Sequence, residues 1–249
     1  MRFFVELSYN GKQYHGWQIQ PNANTIQAEL ISAFSTILNQ EVELVGAGRT
    51  DTGVHANQMF AHFDFNQEID KKRLIAKLNG FLPDDIAIRN IFNVDNDAHA
   101  RFDAISRSYQ YFVTNKKDPF NANCYYFHKT LDINVMNSAC RCLLGKQDFT
   151  SFSKLHTQTY TNDCIVRSAR WEQVGEMFVF TITADRFLRN MVRAIVGTLL
   201  EAGEGKIDVE NIKDIIEKKD RREAGVSVPG HALFLTKIEY PKSWGFSDE

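Results

Sequence analysis

Phe3, Val5, Leu7 and Tyr9 alternate with Phe4, Glu6 and Ser8, the period of a strand. Asn10-Gly11 is a turn signal, and Pro21-Asn22-Ala23-Asn24 reads as a loop after the aromatic and polar stretch Tyr14-His15-Gly16-Trp17-Gln18-Ile19-Gln20. Ile26, Leu30, Phe34, Ile37 and Leu38 recur at helical spacing. Asn24, with Gln27 three residues later, resembles a capping box at the start of that helix. Residues 41–45 read as a short strand. Residues 58–65 read as a longer one, with Met59, Ala61, Phe63 and Phe65 on one face. Asp70 opens a second helix through Leu74, Leu78 and Phe81, which Pro83 ends, and 86–94 is a strand.

The second half repeats this plan. Residues 107–114 form a strand on which Tyr109, Tyr111 and Val113 share a face. A helix follows over 134–144, with Val135, Met136, Ala139 and Leu143 inward. Strands come at 169–174 and 178–183, then a helix over 187–202 ended by Gly203, and a last strand at 233–240. In the 187–202 helix the apolar side is Leu188, Met191, Val192, Ile195 and Leu199. Arg186, Arg189 and Arg193, at i, i+3 and i+7, share another face. Residues 208–219 read as an extra surface helix, and the mixed charges of 218–223 as a solvated face. The pattern predicts an α+β fold of two related halves, 1–102 and 103–249. Each half carries an antiparallel or mixed sheet with helices on one face.

Composition narrows the class. The chain has 249 residues and is 43% hydrophobic, enough to bury a core. It has no apolar run of bilayer length and no signal-peptide block at Met1–Glu6, so the reading is a soluble cytoplasmic protein. Four cysteines in this length do not make a disulfide scaffold, and the seven histidines are scattered, so reduced thiols and no metal are expected. Net charge is −2 with histidine neutral. Nucleic-acid binders usually carry a basic excess, so an RNA partner would require positive charge gathered on one face or on a dimer.

The candidate chemistry lies in Gly46-Ala47-Gly48-Arg49-Thr50-Asp51-Thr52-Gly53-Val54-His55-Ala56. Three glycines open backbone conformations closed to other residues and allow close approach of a ligand. Composition alone also fits a solvated turn. A phosphate-cradling loop fits poorly, because Gly46-Ala47-Gly48 is too short for the dinucleotide fingerprint and no Gly-Lys-Ser/Thr follows. Asp51-Thr52-Gly53 spells an aspartic protease signature. Those sites need two aspartates sharing a proton, and the chain has no second Asp-Thr-Gly. A fourth reading, a nucleophilic carboxylate acting at a sugar carbon, draws on a family resemblance.

Gly48-Arg49-Thr50-Asp51-Thr52-Gly53-Val54-His55-Ala56 resembles the signature of the TruA family of tRNA pseudouridine synthases. Tyr14-His15-Gly16-Trp17-Gln18 with Gln20, His99-Ala100-Arg101-Phe102, Arg107-Ser108-Tyr109-Gln110-Tyr111, Asp148-Phe149-Thr150-Ser151-Phe152, Met191-Val192-Arg193 with Ile195-Val196-Gly197, and Leu233-Phe234-Leu235 also resemble family segments. They fall in the family's order from near the first residue to the last strand. Two positions depart from the family's usual residues: Thr52, where alanine is frequent, and Ala232, where glycine often stands.

The resemblance implies a pseudouridine synthase fold with the two sheets joined and an RNA-binding cleft between the halves. It implies isomerisation of uridines at positions 38, 39 and 40 of the tRNA anticodon stem-loop, with no cofactor, by a homodimer whose one tRNA contacts both chains. Asp51 takes the place of the catalytic aspartate, which attacks C1′ or assists elimination by taking a sugar proton. Such a carboxylate works ionised, a form that a nearby guanidinium favours, and Arg193 is the implied partner. Arg49 matches the arginine implicated in flipping the uridine, a role that suits a planar guanidinium. Tyr109 matches the tyrosine that stacks on the flipped uracil, and Leu233 would wall the base pocket. Arg186 and Arg189 are either phosphate contacts or a solvated basic stripe. His55 and His99 read as structural; Tyr14, Trp17 and Gln18 read as shaping an RNA-facing loop, with core packing the alternative for Trp17. A non-catalytic tRNA-binding or chaperone protein of the same fold is the alternative.

Overall fold

Along the chain run β1 (Arg2–Tyr9), α1 (Ile26–Leu38), β2 (Val45–Gly46), β3 (His55–Asp64), α2 (Lys71–Phe81), β4 (Ile86–Val94), β5 (Ser106–Thr114), β6 (Tyr125–Tyr126), α3 (Ile133–Arg141), β7 (Gly145–Asp148), β8 (Asp163–Val174), β9 (Met177–Ala184), α4 (Met191–Gly203), α5 (Asn211–Lys218) and β10 (Leu233–Glu239). The computed structural model describes residues 1–154 and 160–244. They form two compact units. The first is Met1–Ile105 with Leu235–Glu249, and the second is Ser106–Phe234. Among the described residues no helix is long and apolar enough to cross a membrane.

In unit 1 the strands lie in the order β4-β1-β3-β10, with β2 beside β3. β1 runs antiparallel to both neighbours, with Val5 opposite Ala61 on one side and Ile91 on the other. One face is built by Phe3, Val5, Leu7, Met59 and Phe63 against α1, where the rings of Phe34 and Phe63 meet at 4.9 Å. The other face is buried as well. Phe4 and Phe60 lie under Tyr240, and Trp244 stacks on Tyr240 at 5.4 Å. That second layer is why Phe3-Phe4-Val5 is continuously apolar.

His62, 5% exposed, sits in this second layer and accepts a bond from the Ala100 amide at its Nδ1 (3.2 Å). Burial, helped by the charges of Arg2 and His99, pushes its pKa down to about 4 from the usual 6.5. The unfolded chain therefore binds this proton first. Stability associated with His62 is intact above pH 6.5 and is lost as pH falls towards 4. His62→Gln is expected to show a smaller drop in melting temperature than the wild type across that window.

Unit 2 orders its strands β5-β9-β8-β7, all antiparallel, with β6 running parallel to β5. Tyr111, Trp171, Phe180 and Ile182 are buried in the sheet; α3 packs against β8, and α4 packs against α3. α4 is buried nearly all round, from Met191 to Gly203, which makes it the unit's central helix.

Several sequence expectations change. The cap of α1 is Thr25, whose hydroxyl accepts the Ala28 amide; the Gln27 side chain instead bonds Leu44 and Ile19. In 41–45 only Val45 pairs as a strand, with His62. Val42 and Leu44 alternate because they are buried, without ladder partners in that strand. Phe81 is 51% exposed at the last turn of α2. Strands 163–174 and 177–184 are longer than expected, and β6 and β7 have no apolar period to announce them. α4 starts at Met191, after Asn190 in the left-handed region (φ 69°), so Arg186 and Arg189 precede the helix and share no helical face with Arg193. Leu188 misled the pattern, since it is buried from the turn before the helix. Arg221 is half-buried and turned inward, whereas the ion pairs Lys218–Glu223 and Arg222–Asp220 do lie at the surface.

Candidate active site

In unit 1 the loop between β2 and β3 is held almost residue by residue by the segment 9–17. The Ala47 amide bonds the Phe60 carbonyl at 2.8 Å as the loop leaves β2. Thr50, 8% exposed, accepts the Trp17 amide at its carbonyl (3.2 Å) and shares a hydroxyl bond with Tyr9 (2.9 Å). Past the apex, Val54 donates back to the Asp51 carbonyl at 3.1 Å. Gly53, at φ +77°, donates to the Tyr14 carbonyl at 3.2 Å. His55 is 1% exposed and accepts the Gly11 amide at Nδ1 (3.1 Å).

Two glycines make this clamp possible. Gly11 lies against the Val54 carbonyl and Gly16, at φ +91°, against the Thr50 carbonyl, each too close for a Cβ. The Trp17 indole packs under Gly46, where a Cβ would meet it at 2.5 Å. Tyr14 is buried and donates to Asp85 Oδ1 at 2.6 Å. Burial and that bond raise its pKa, so it stays a phenol. Tyr14 and Trp17 are thus core supports of the loop. The result is Asp51 half-buried at the apex of a fixed turn, between exposed Arg49 and Thr52.

His99 ties down a second turn of unit 1. Its amide donates to Asp103 Oδ2 (2.6 Å), and its Nδ1 accepts the amides of Arg101 (3.1 Å) and Phe102 (3.3 Å). Both His55 and His99 therefore spend a ring nitrogen on main chain.

Unit 2 carries the other expected residues. Tyr109, half-buried on β5, meets Phe187 edge-on at 5.1 Å and 88°. Tyr111, on the same face, is buried and donates to the Pro229 carbonyl at 2.9 Å. Arg193 lies in the first turn of α4; its Nε donates to the Val228 carbonyl at 2.7 Å, and the Val228 amide donates back to the Arg193 carbonyl at 3.2 Å. Leu233, 5% exposed, opens β10 directly after a short turn at Gly230–Ala232. Arg186 is half-buried, its amide bonded to Asp185 Oδ1 at 2.8 Å. Arg189 is exposed, its carbonyl accepting the Lys154 amide at 3.0 Å. Unit 2 thus joins Arg193 and Leu233 through 228–233, and Tyr109 to the segment before α4 through Phe187. Arg49 and Asp51 belong to unit 1.

Burial pushes the Cys140 and Cys164 thiols up to about 12, so neither is a nucleophile near neutral pH. Among the described residues no three of His, Cys, Asp and Glu are grouped to hold a metal ion. The role of Gly11 and Gly16 in fixing the loop escapes sequence reading, because both glycines lie more than thirty residues before Asp51 and only the fold brings them to it.

A family model described as tRNA pseudouridine synthase matches residues 7–103 and 139–241. A tRNA pseudouridine synthase A of Parabacteroides distasonis is 55% identical over 243 residues, covering 97% of this chain and 96% of that protein. One of Bacteroides thetaiotaomicron is 53% identical over 252 residues, covering 100% and 93%. One of Francisella tularensis is 38% identical over 243 residues, covering 96% and 94%. The matched ranges contain every residue of the glycine-flanked carboxylate loop, together with Arg193 and Leu233. This chain belongs to the tRNA pseudouridine synthase family, isomerases that convert uridine in tRNA to pseudouridine.

Proposed function

We propose that this enzyme acts on uridines 38, 39 and 40 on the 3′ side of the tRNA anticodon stem-loop, with Asp51 as its catalytic carboxylate. The observation that carries the reading is the clamped loop: an acidic side chain is held half-buried at a turn whose backbone is fixed by Gly11, Tyr14, Gly16 and Trp17. A fixed turn suits a group that has to reach one carbon of a flipped nucleotide.

The chemistry breaks the bond between C1′ and N1 and forms one between C1′ and C5. The uracil turns while detached, N1 gains a proton and C5 loses one. Asp51 attacks C1′ or takes a sugar proton to start elimination; either route needs the carboxylate form. Arg193 pairs with it. Arg49, exposed beside it, takes the place of the extruded uridine in the stack and contacts the phosphates. Tyr109 stacks on the uracil and Leu233 forms the apolar wall of its pocket. Arg186 and Arg189 contact phosphates. The enzyme works as a cytoplasmic homodimer, in which one tRNA touches both chains and the basic surface is built from two copies.

The test is position-resolved. Unmodified tRNA transcripts carrying uridine at 38, 39 or 40 are incubated with the enzyme, and carbodiimide-blocked primer extension maps pseudouridine. Stops confined to those positions are expected. Stops elsewhere in the tRNA, with none at 38–40, would refute the site while leaving the isomerase standing.

A further inference from the structure

Arg221 stands half-buried at the foot of the segment that follows α5. One terminal nitrogen donates to the carbonyls of Ala224 (3.0 Å) and Gly225 (3.1 Å), and the other to the Ser227 hydroxyl (2.7 Å). Asn190, the residue before α4, donates to the same hydroxyl at 2.6 Å. The Gly225 amide donates to the Thr198 hydroxyl on α4 at 2.9 Å. The Val226 carbonyl then lies against Gly197, too close for a Cβ there. Val228 exchanges two bonds with Arg193, and Pro229 is bonded by the Tyr111 hydroxyl.

Residues 221–229 are therefore a strap anchored repeatedly along α4. The guanidinium of Arg193 donates through Nε to a carbonyl of that strap. A planar fork with donors on both terminal nitrogens can gather three acceptors of one turn at once; an ammonium on a flexible stem cannot hold that pattern.

Resting on the role given to Arg193 above, we propose that Arg221 is a positioning residue of the isomerisation. It shapes residues 224–228 so that the Val228 carbonyl holds the Arg193 guanidinium in its working orientation. Arg221 touches no substrate and acts through the strap.

The test compares kcat and KM for tRNA in the wild type, Arg221→Ala, Arg221→Lys, Ser227→Ala, Arg193→Ala, Arg193→Lys and the double variant Arg193→Lys/Arg221→Ala, with melting curves for each. Arg221→Ala is expected to lower kcat by about 10- to 100-fold, the scale of a small misplacement of a catalytic group, with KM changed by less than about threefold. Arg221→Lys fails to restore it. Ser227→Ala removes the shared hydroxyl without touching a charge. It is expected to lower kcat in the same way, and keeps the test decisive if Arg221→Ala does not fold. Arg193→Lys lacks the Nε donor to Val228, so adding Arg221→Ala to it costs less than about threefold more. Wild-type kcat in folded Arg221→Ala and Ser227→Ala, a change in KM alone, or equal losses in both Arg193 backgrounds overturns the proposal while the Arg193 role stands. Wild-type kcat in Arg193→Ala refutes that role, and this proposal with it.

Discussion

Asp51→Asn is expected to bind tRNA with wild-type affinity and to form no pseudouridine, a loss in kcat on the order of a thousandfold or more. The amide keeps the shape of the side chain. The substitution leaves in place the main-chain bonds that pin the loop, from Trp17 to Thr50, from Gly53 to Tyr14 and from Val54 to Asp51. What the amide lacks is the negative charge and the basicity that the proposed attack on C1′ or removal of a sugar proton requires. Filter binding of labelled tRNA and nucleoside chromatography of the digested product separate the two effects. Weakened binding together with lost activity would mean that the loop had been disturbed.

Gly16→Ala is expected to have the next largest effect, through geometry alone. At φ +91° an alanine is strained, at a cost of about 1–2 kcal/mol for the left-handed region, and its Cβ runs into the Thr50 carbonyl. The conflict cannot relax into a flexible side chain, since the obstacle is main chain one residue before Asp51. The loop has to shift. A shift of about 1 Å at the carboxylate is expected to cost on the order of a hundredfold in kcat, together with a lower melting temperature. Gly80→Ala in α2, where an added Cβ meets nothing within 4 Å, is the control. There a melting temperature equal to or above wild type is expected, because alanine is the better helix former.

Where local pattern and burial agree, the chain was legible. Strand β4 occupies the expected span, and α2 is capped by Asp70 and ends before Pro83, because those two residues act on neighbours a few positions away. Reading failed where burial and hydrogen bonding part company. Val42 and Leu44 are buried without being a strand, and Leu188 is buried ahead of the helix it seemed to belong to. The acidic loop was visible from its glycines. The residues that fix it were visible only as an aromatic stretch with two possible uses, since a clamp made by Gly11 and Gly16 is a long-range contact. Arg221 was hidden differently: charges on both sides made it look solvated, and only the fold turns it inward.

The central claim is that this chain isomerises tRNA uridine and that Asp51 carries the reaction. The direct measurement is tritium release from tRNA labelled at C5 of uridine, followed in parallel for the wild type and Asp51→Asn, because forming the new bond at C5 detaches that hydrogen. Release by the wild type and none by Asp51→Asn is the predicted result. Equal release by both proteins would place the reaction on another carboxylate, and no release by a wild type that binds tRNA tightly would contradict the account as a whole.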